Sequence, residues 1–319
     1  VMKSTSGDYF QALDHVRALA VFTVFFWHFN HFNDGHLAAP LLLFPLSFLT
    51  EGHTGVAIFM TLSGYLFAKL LDQRRMVFLP FLWNRFIRLA PLLFVVICLS
   101  AVVAYKNGTG VAFPSLPNGG WSITVESHFY VILPLLLYLV NRSKLLLLFA
   151  LALPIGLRLF LFIYHGEVQS FAYWTIVGRL DQFILGIFAF YTRDFYKEKG
   201  RYVFIAVVCF LLFWYWFDRL GGFYTLPKYP SPSPIWILLP TIEGFVYSML
   251  IAWYDSAYTH SESKIAKFIA LIGTYSYSIY LLHFFFVFKM PALINKYLFD
   301  ISNPYLMFIV AIPCFLSLI

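Results

Sequence analysis

Long apolar runs alternate with short polar stretches along the whole of the 319-residue chain. Ten runs stand out, at about 12–31, 53–71, 89–105, 121–140, 144–164, 171–192, 202–217, 234–254, 266–288 and 304–319. They are too long and too unbroken for membrane-barrel strands, which need roughly 10 alternating residues. Each run therefore predicts a helix on the scale of a membrane crossing, which takes about 20 residues. Runs shorter than that must borrow flanking aromatics or be broken within the bilayer. The expected fold is all-α: a polytopic integral membrane protein of about ten transmembrane helices, forming one domain over residues 1–319. The stretch from Leu226 to Pro234 is Pro-rich and predicts an outer loop. No internal repeat stands out. The last run stops at Ile319 without a polar tail, which points to a chain cut short there.

Composition strengthens this picture. Apolar residues make up 61% and charged residues only 12%, against roughly 25% charged in a typical soluble domain. A soluble globule could not hide so much apolar surface, and a disordered chain would not contain it. The net charge of +7 is read through the positive-inside rule rather than as a nucleic-acid footprint. With the N-terminus inside, the inner connections hold 14 Lys and Arg and the outer ones 5. That split predicts a cytoplasmic N-terminus; the cytoplasmic (inner) membrane is the expected location. The first run carries Asp14, His15 and Arg17, so it is expected to stay as a helix rather than be cleaved as a signal peptide. Cys98, Cys209 and Cys314 all lie in apolar runs; they have neither disulfide nor metal spacing and are expected to be buried packing residues. No metal site is expected.

Ionisable residues inside apolar helices are costly and mark either a functional site or a buried pair. This chain has Arg17, His28, Glu126, Arg158, Arg179, Asp181, Glu243 and His283 in such places. Three arginines face three carboxylates, so internal ion pairing is the competing reading; Asp14, Arg179 and Asp181 are its candidates. Arg17 and His28 are eleven residues apart, roughly 20° beyond three full turns, so they share one helix face ~16 Å apart along the axis. Asp14 can pair with Arg17 on that face. Counted along straight helices, Glu126 lies ~7 Å in from the outer side and His283 ~25 Å up from the inner side. His28, Glu126 and His283 thus share the outer half of the bilayer. Arg85 and Arg88, i and i+3 on a short amphipathic segment at the inner face, make either a phosphate clamp or an anchor on lipid phosphates.

Six short motifs recur in order. They are Leu13-Asp-His-Val-Arg-Ala-Leu-Ala20 running on to His28, Gly52-His-Thr-Gly-Val-Ala-Ile-Phe-Met-Thr-Leu-Ser-Gly-Tyr65, and Asn84-Arg-Phe-Ile-Arg-Leu-Ala-Pro91. The others are Trp121-Ser-Ile-Thr-Val-Glu126, Arg179-Leu-Asp-Gln-Phe-Ile-Leu-Gly186 and Gly273-Thr-Tyr-Ser-Tyr-Ser-Ile-Tyr-Leu-Leu-His283. Over about residues 9–290 the chain resembles the type-3 membrane acyltransferases, bacterial O-acetylases of lipopolysaccharide O-antigen, nodulation factors and other glycans. Ala18 and Met60-Thr61 depart from the family pattern without removing a chemical group.

The resemblance implies transfer of an acetyl group from cytoplasmic acetyl-CoA to a hydroxyl of a carbohydrate or glycolipid acceptor. Arg85 and Arg88 would hold the donor's phosphates. His28 would act as general base or as an acetyl-imidazole relay. Glu126 would orient His28 or the acceptor, and Arg17 would pair with Asp14 or line the donor path. Ser63 and Gly64 are oxyanion candidates by motif, and Tyr280 and His283 by depth; Trp121 is a candidate platform for a sugar ring. Two other functional classes remain: a transporter or flippase of a lipid-linked glycan, with the buried charges as a proton relay, and a non-catalytic membrane scaffold. The first needs repeat symmetry or paired broken helices; the second predicts loss of His28 or of the arginine pair, and both are intact.

Overall fold

A computed structural model describes residues 10–31, 46–72, 76–106, 108 and 119–319. It is 82% helical, with no strand among the described residues. α1 (Gln11–His31) leads through a single turn, α2 (Ser47–Thr50), into α3 (Thr54–Leu71). α4 (Phe78–Lys106) and α5 (Trp121–Arg142) follow, then the broken pair α6 (Lys144–Phe149) and α7 (Ala152–His165). Next come α8 (Gln169–Trp174), α9 (Ile176–Tyr191), the short α10 (Arg193–Lys197), α11 (Gly200–Arg219) and the one-turn α12 (Gly222–Thr225). The chain ends with α13 (Ile235–Ala257), α14 (Lys264–Thr274), α15 (Ser276–Val287), α16 (Met290–Tyr297) and α17 (Pro304–Leu316).

Every predicted apolar run is helical. Six described spans, with α6 and α7 counted together as one, are long and apolar enough to cross a membrane, or seven if α14 and α15 form one span. The predicted runs outside that set belong to α1, which carries charges, and to α9 and α17, with 16 and 13 residues. Three boundaries differ from expectation. The run at 266–288 is not one helix: it bends by 72° between α14 and α15, so a depth for His283 counted along a straight rod does not apply. The run at 171–192 breaks at Thr175, whose hydroxyl caps α9 by accepting from Gly178 N at 3.0 Å. α4 begins at Phe78, with Pro80 in its first turn, so Arg85 and Arg88 sit within a 29-residue helix rather than on a separate segment. Cys98 and Cys209 are exposed on α4 and α11, on faces open to lipid, rather than buried as expected.

The centre of the molecule is built from α1, α3, α9 and α13, and small residues let these helices touch. A Cβ added to Gly64 of α3 would run into the backbone of Phe183, and one on Gly186 of α9 into the carbonyl of Thr61. The two helices thus interlock glycine to backbone, the close approach on which membrane helices rely where burial of apolar surface gives no drive. Gly55 abuts the Ala20 carbonyl of α1, and Gly273 of α14 abuts that of Asp14. α1 is consequently wrapped on several sides; 15 of its 21 residues are buried. In α4 only Val96 is buried, as suits a peripheral, lipid-facing helix.

Candidate active site

α1 carries the two ends of the candidate site. At its start, Arg17 forms an ion pair with Asp14 one turn earlier, as the i, i+3 spacing predicts. Arg17 and Arg85 both lie within electrostatic reach of Arg88, as do Glu126 and Tyr130. The Arg85 guanidinium is stacked over Phe67 and Phe81, 5.1 and 5.6 Å from the ring centroids. Two helices, α1 and α4, thus bring cations together, and α5 faces them with Glu126 and Tyr130.

At the other end, His28 opens onto a cavity of about 220 Å³. Its walls are mainly aromatic: Trp27, Trp121, Tyr173, Trp174, Tyr224, Tyr280 and Phe284, with Val56 and Gly119. They come from α1, α3, α5, α8, α12 and α15. Trp121 packs on Tyr173 and Trp174 at 5.0 and 4.6 Å, and Tyr224 stacks on Trp27 at 5.8 Å with planes 9° apart. The His28 Nδ1 atom is 2.9 Å from the carbonyl oxygen of Val24 and 3.0 Å from His283 Nε2. The bend before α15 brings His283 to α1.

The other predicted residues fall differently. Glu126 is not at His28: its Oε1 accepts from Ser63 Oγ at 3.0 Å and from Tyr130 OH at 2.6 Å. Shared depth did not mean contact, and Ser63 is committed to that carboxylate. Tyr280 OH donates to the Gly119 carbonyl at 3.1 Å and receives Ser122 Oγ at 2.8 Å. Among the described residues Arg179 and Asp181 do not pair with each other. Two residues apart on a helix, they point in different directions. Asp181 pairs instead with Arg158 at 2.6 Å, and both side chains are fully buried. Arg179 donates through Nε to the Tyr173 carbonyl at 2.6 Å and through Nη1 to Gln182 at 3.0 Å. Gln182 in turn donates to Glu243 at 3.0 Å. The Arg179 guanidinium lies over the Tyr173 and Trp121 rings, at 4.3 and 5.6 Å, and so underpins the cavity floor.

Sequence reasoning missed a second anchor. Glu51, between α2 and α3, accepts from Phe223 N at 3.1 Å and lies 3.2 Å from His53 Nε2. Gly222, at φ +59°, packs so closely on the Glu51 carboxyl that a Cβ would collide with it. Glu51 thus holds α12, and with it Tyr224, against the cavity. Burial pushes its carboxyl up to about 8. The only signal was an acidic residue beside a glycine at the head of an apolar helix. Trp27 was also missed, although it adjoins His28 in the first motif. Among the described residues no three His, Cys, Asp or Glu form a group able to hold a metal ion.

Comparison with known proteins places this geometry. A family model described as an acyltransferase domain matches residues 10–319. The peptidoglycan O-acetyltransferase OatA of Listeria monocytogenes is 27% identical over 88% of this chain and 49% of its own length. The O-acetyltransferase OatA of Staphylococcus aureus is 25% identical over 97% of this chain and 55% of its own. The chain spans about half the length of the curated relatives it matches. No solved structure matches it. The match across nearly the whole chain shows that this multi-pass membrane protein belongs to the acyltransferase-domain family.

Proposed function

We propose that the chain is a membrane O-acetyltransferase that moves an acetyl group from cytoplasmic acetyl-CoA to a carbohydrate hydroxyl. The observation that carries this reading is the two-ended α1: a cluster of three guanidinium groups at one end and a histidine facing an aromatic cavity at the other. The cationic end suits the phosphates of CoA, because guanidinium forks match phosphate oxygens. The aromatic cavity suits a sugar, whose C–H faces stack on rings and whose hydroxyls need few, well-placed partners. The names of the two OatA relatives support O-acetylation, and the Listeria one points to a cell-wall glycan as an acceptor class.

In this reading the acceptor hydroxyl gives its proton to His28 Nε2 while its oxygen attacks the thioester carbonyl. The new C–O bond forms as the C–S bond breaks, and the proton passes from His28 to the departing thiolate. The Tyr280 hydroxyl, committed to the Gly119 carbonyl, fixes one wall. The donor would enter from the inner face of the cytoplasmic membrane.

Membranes carrying the wild-type chain or His28→Ala, at equal expression, are given radiolabelled acetyl-CoA, and label is followed into glycan and lipid fractions. Transfer by the wild type and loss of roughly 100-fold or more in the variant is the expected result. Equal labelling by both would remove His28 from the chemistry.

A further inference from the structure

The contacts of the two facing histidines define which nitrogen of each ring carries a proton. His28 Nδ1 lies 2.9 Å from the Val24 carbonyl oxygen, and His283 Nδ1 lies against the carbonyls of Tyr280 and Ile279, the latter at 3.2 Å. A carbonyl oxygen only accepts, so each Nδ1 must carry a hydrogen. The 3.0 Å contact between His28 Nδ1 and His283 Nε2 then has one polarity: the single His28 Nδ1 hydrogen is shared between the Val24 carbonyl and the lone pair of His283 Nε2. Reversing it would set the Nδ1 lone pair of each ring against a carbonyl oxygen. Around the pair stand Phe25, 6.4 Å from His283, and Phe284, 4.4 and 4.6 Å from the two rings. His283 is 1% exposed and is not part of the cavity wall.

We infer that His283 is the positioning residue of the reaction, a neutral counterpart of the carboxylate that orients histidine in other acyl-transfer sites. It fixes the plane of the His28 ring and leaves Nε2 as the basic nitrogen. When His28 takes up the acceptor's proton at Nε2, the Nδ1–H bond to His283 becomes charge-assisted and strengthens. A carboxylate would do this at the cost of burying a charge among phenylalanines; an imidazole does it without one. The inference rests on the assignment of His28 as base.

The test uses the full chain in its native membrane. His283→Ala is expected to lower kcat roughly 10- to 100-fold, the range for a bond to a group that becomes charged, with both KM values within about twofold. His283→Gln, which keeps an acceptor on the side chain, is expected to stay within about fivefold of wild type. Added imidazole should restore His283→Ala, whereas pyrrole, the same shape without the acceptor nitrogen, should not. Equal rescue by both rings, or a His283→Ala variant as fast as wild type, would reduce His283 to packing. If His28→Ala remains active, the base assignment itself fails; if His28→Ala is inactive and His283→Ala is not, only the positioning role fails.

Discussion

The two ends of α1 solve recognition in opposite ways. At the Arg17 end the chain gathers cations: Arg17 and Arg85 each act on Arg88, with Asp14 paired to Arg17 and Glu126 near Arg88. At the His28 end it gathers rings, and many of the polar groups there already have partners inside the protein. Three guanidinium groups beside two carboxylates leave an excess of positive charge for an anion to meet, and such a site binds through point charges that tolerate small shifts. A site of packed rings selects by shape, and the buried Trp27 Nε1–H on its wall has no hydrogen-bond partner among the described residues. A donor that carries phosphates and an acceptor that carries hydroxyls call for those two solutions, and one helix places both at a fixed separation.

The contrast is sharpest in which kinetic constant each end controls. Replacing Arg85 and Arg88 together by Gln is expected to raise the donor KM about 100-fold, since each lost charge-assisted contact is worth about 1.5–3 kcal/mol in part-buried settings. The acceptor KM and kcat at saturating donor are expected to stay within about threefold. Steady-state kinetics in proteoliposomes read this directly. A fall in kcat with an unchanged donor KM would place the arginines in the chemistry and erase the distinction between the two ends.

Much of the Arg17 end was legible in the sequence because helical spacing on one element is arithmetic: Asp14, Arg17 and His28 share a face whatever the rest of the fold does. The all-α membrane fold was legible from run length for the same reason. The partners of Glu126, Asp181 and His28 were not, because they depend on which helices cross. Depth allowed Glu126 to reach His28, yet the α3–α5 packing gives it to Ser63 and Tyr130. The aromatic wall draws on five separate elements, and Tyr224 arrives on a single helical turn that no periodicity predicts. The bend before α15, which brings His283 to α1, has no proline to announce it.

Glu51 offers a way to disturb the aromatic end alone. Its carboxyl is raised from an ordinary 4.5 to about 8 by burial, so the folded state prefers the protonated form. That preference favours folding fully below about 4.5 and is lost progressively as pH rises toward 8. Wild-type protein should therefore lose thermal stability between pH 5 and pH 8, by about 5 °C for a chain of this size. Glu51→Gln, which imitates the protonated carboxyl and keeps an acceptor for Phe223 N, should show no such loss and should match wild type at pH 5. Melting curves of the purified protein at the two pH values decide it. An identical slope in both proteins would mean that Glu51 ionises freely, and that α12 and Tyr224 are held by something else.

The smallest expected effect tests the shape argument at the cavity rim. Trp174 lines the cavity, packs edge-on against Trp121 and donates from Nε1 to Tyr229 OH at 2.8 Å. The residue is 40% exposed, so water competes for that hydrogen bond and its net value is at the low end, about 0.5 kcal/mol. Trp174→Phe keeps a ring on Trp121 and loses only the donor; the acceptor KM should rise by about threefold or less, with the donor KM unchanged. Trp174→Ala also removes the ring contact, worth about 0.5–1.5 kcal/mol beyond burial, and should raise the acceptor KM about tenfold. The step between the two variants measures what the ring does apart from its N–H. If Phe and Ala behave alike, the rim recognises its ligand through a polar contact, and the His28 end would resemble the arginine end more than its composition implies.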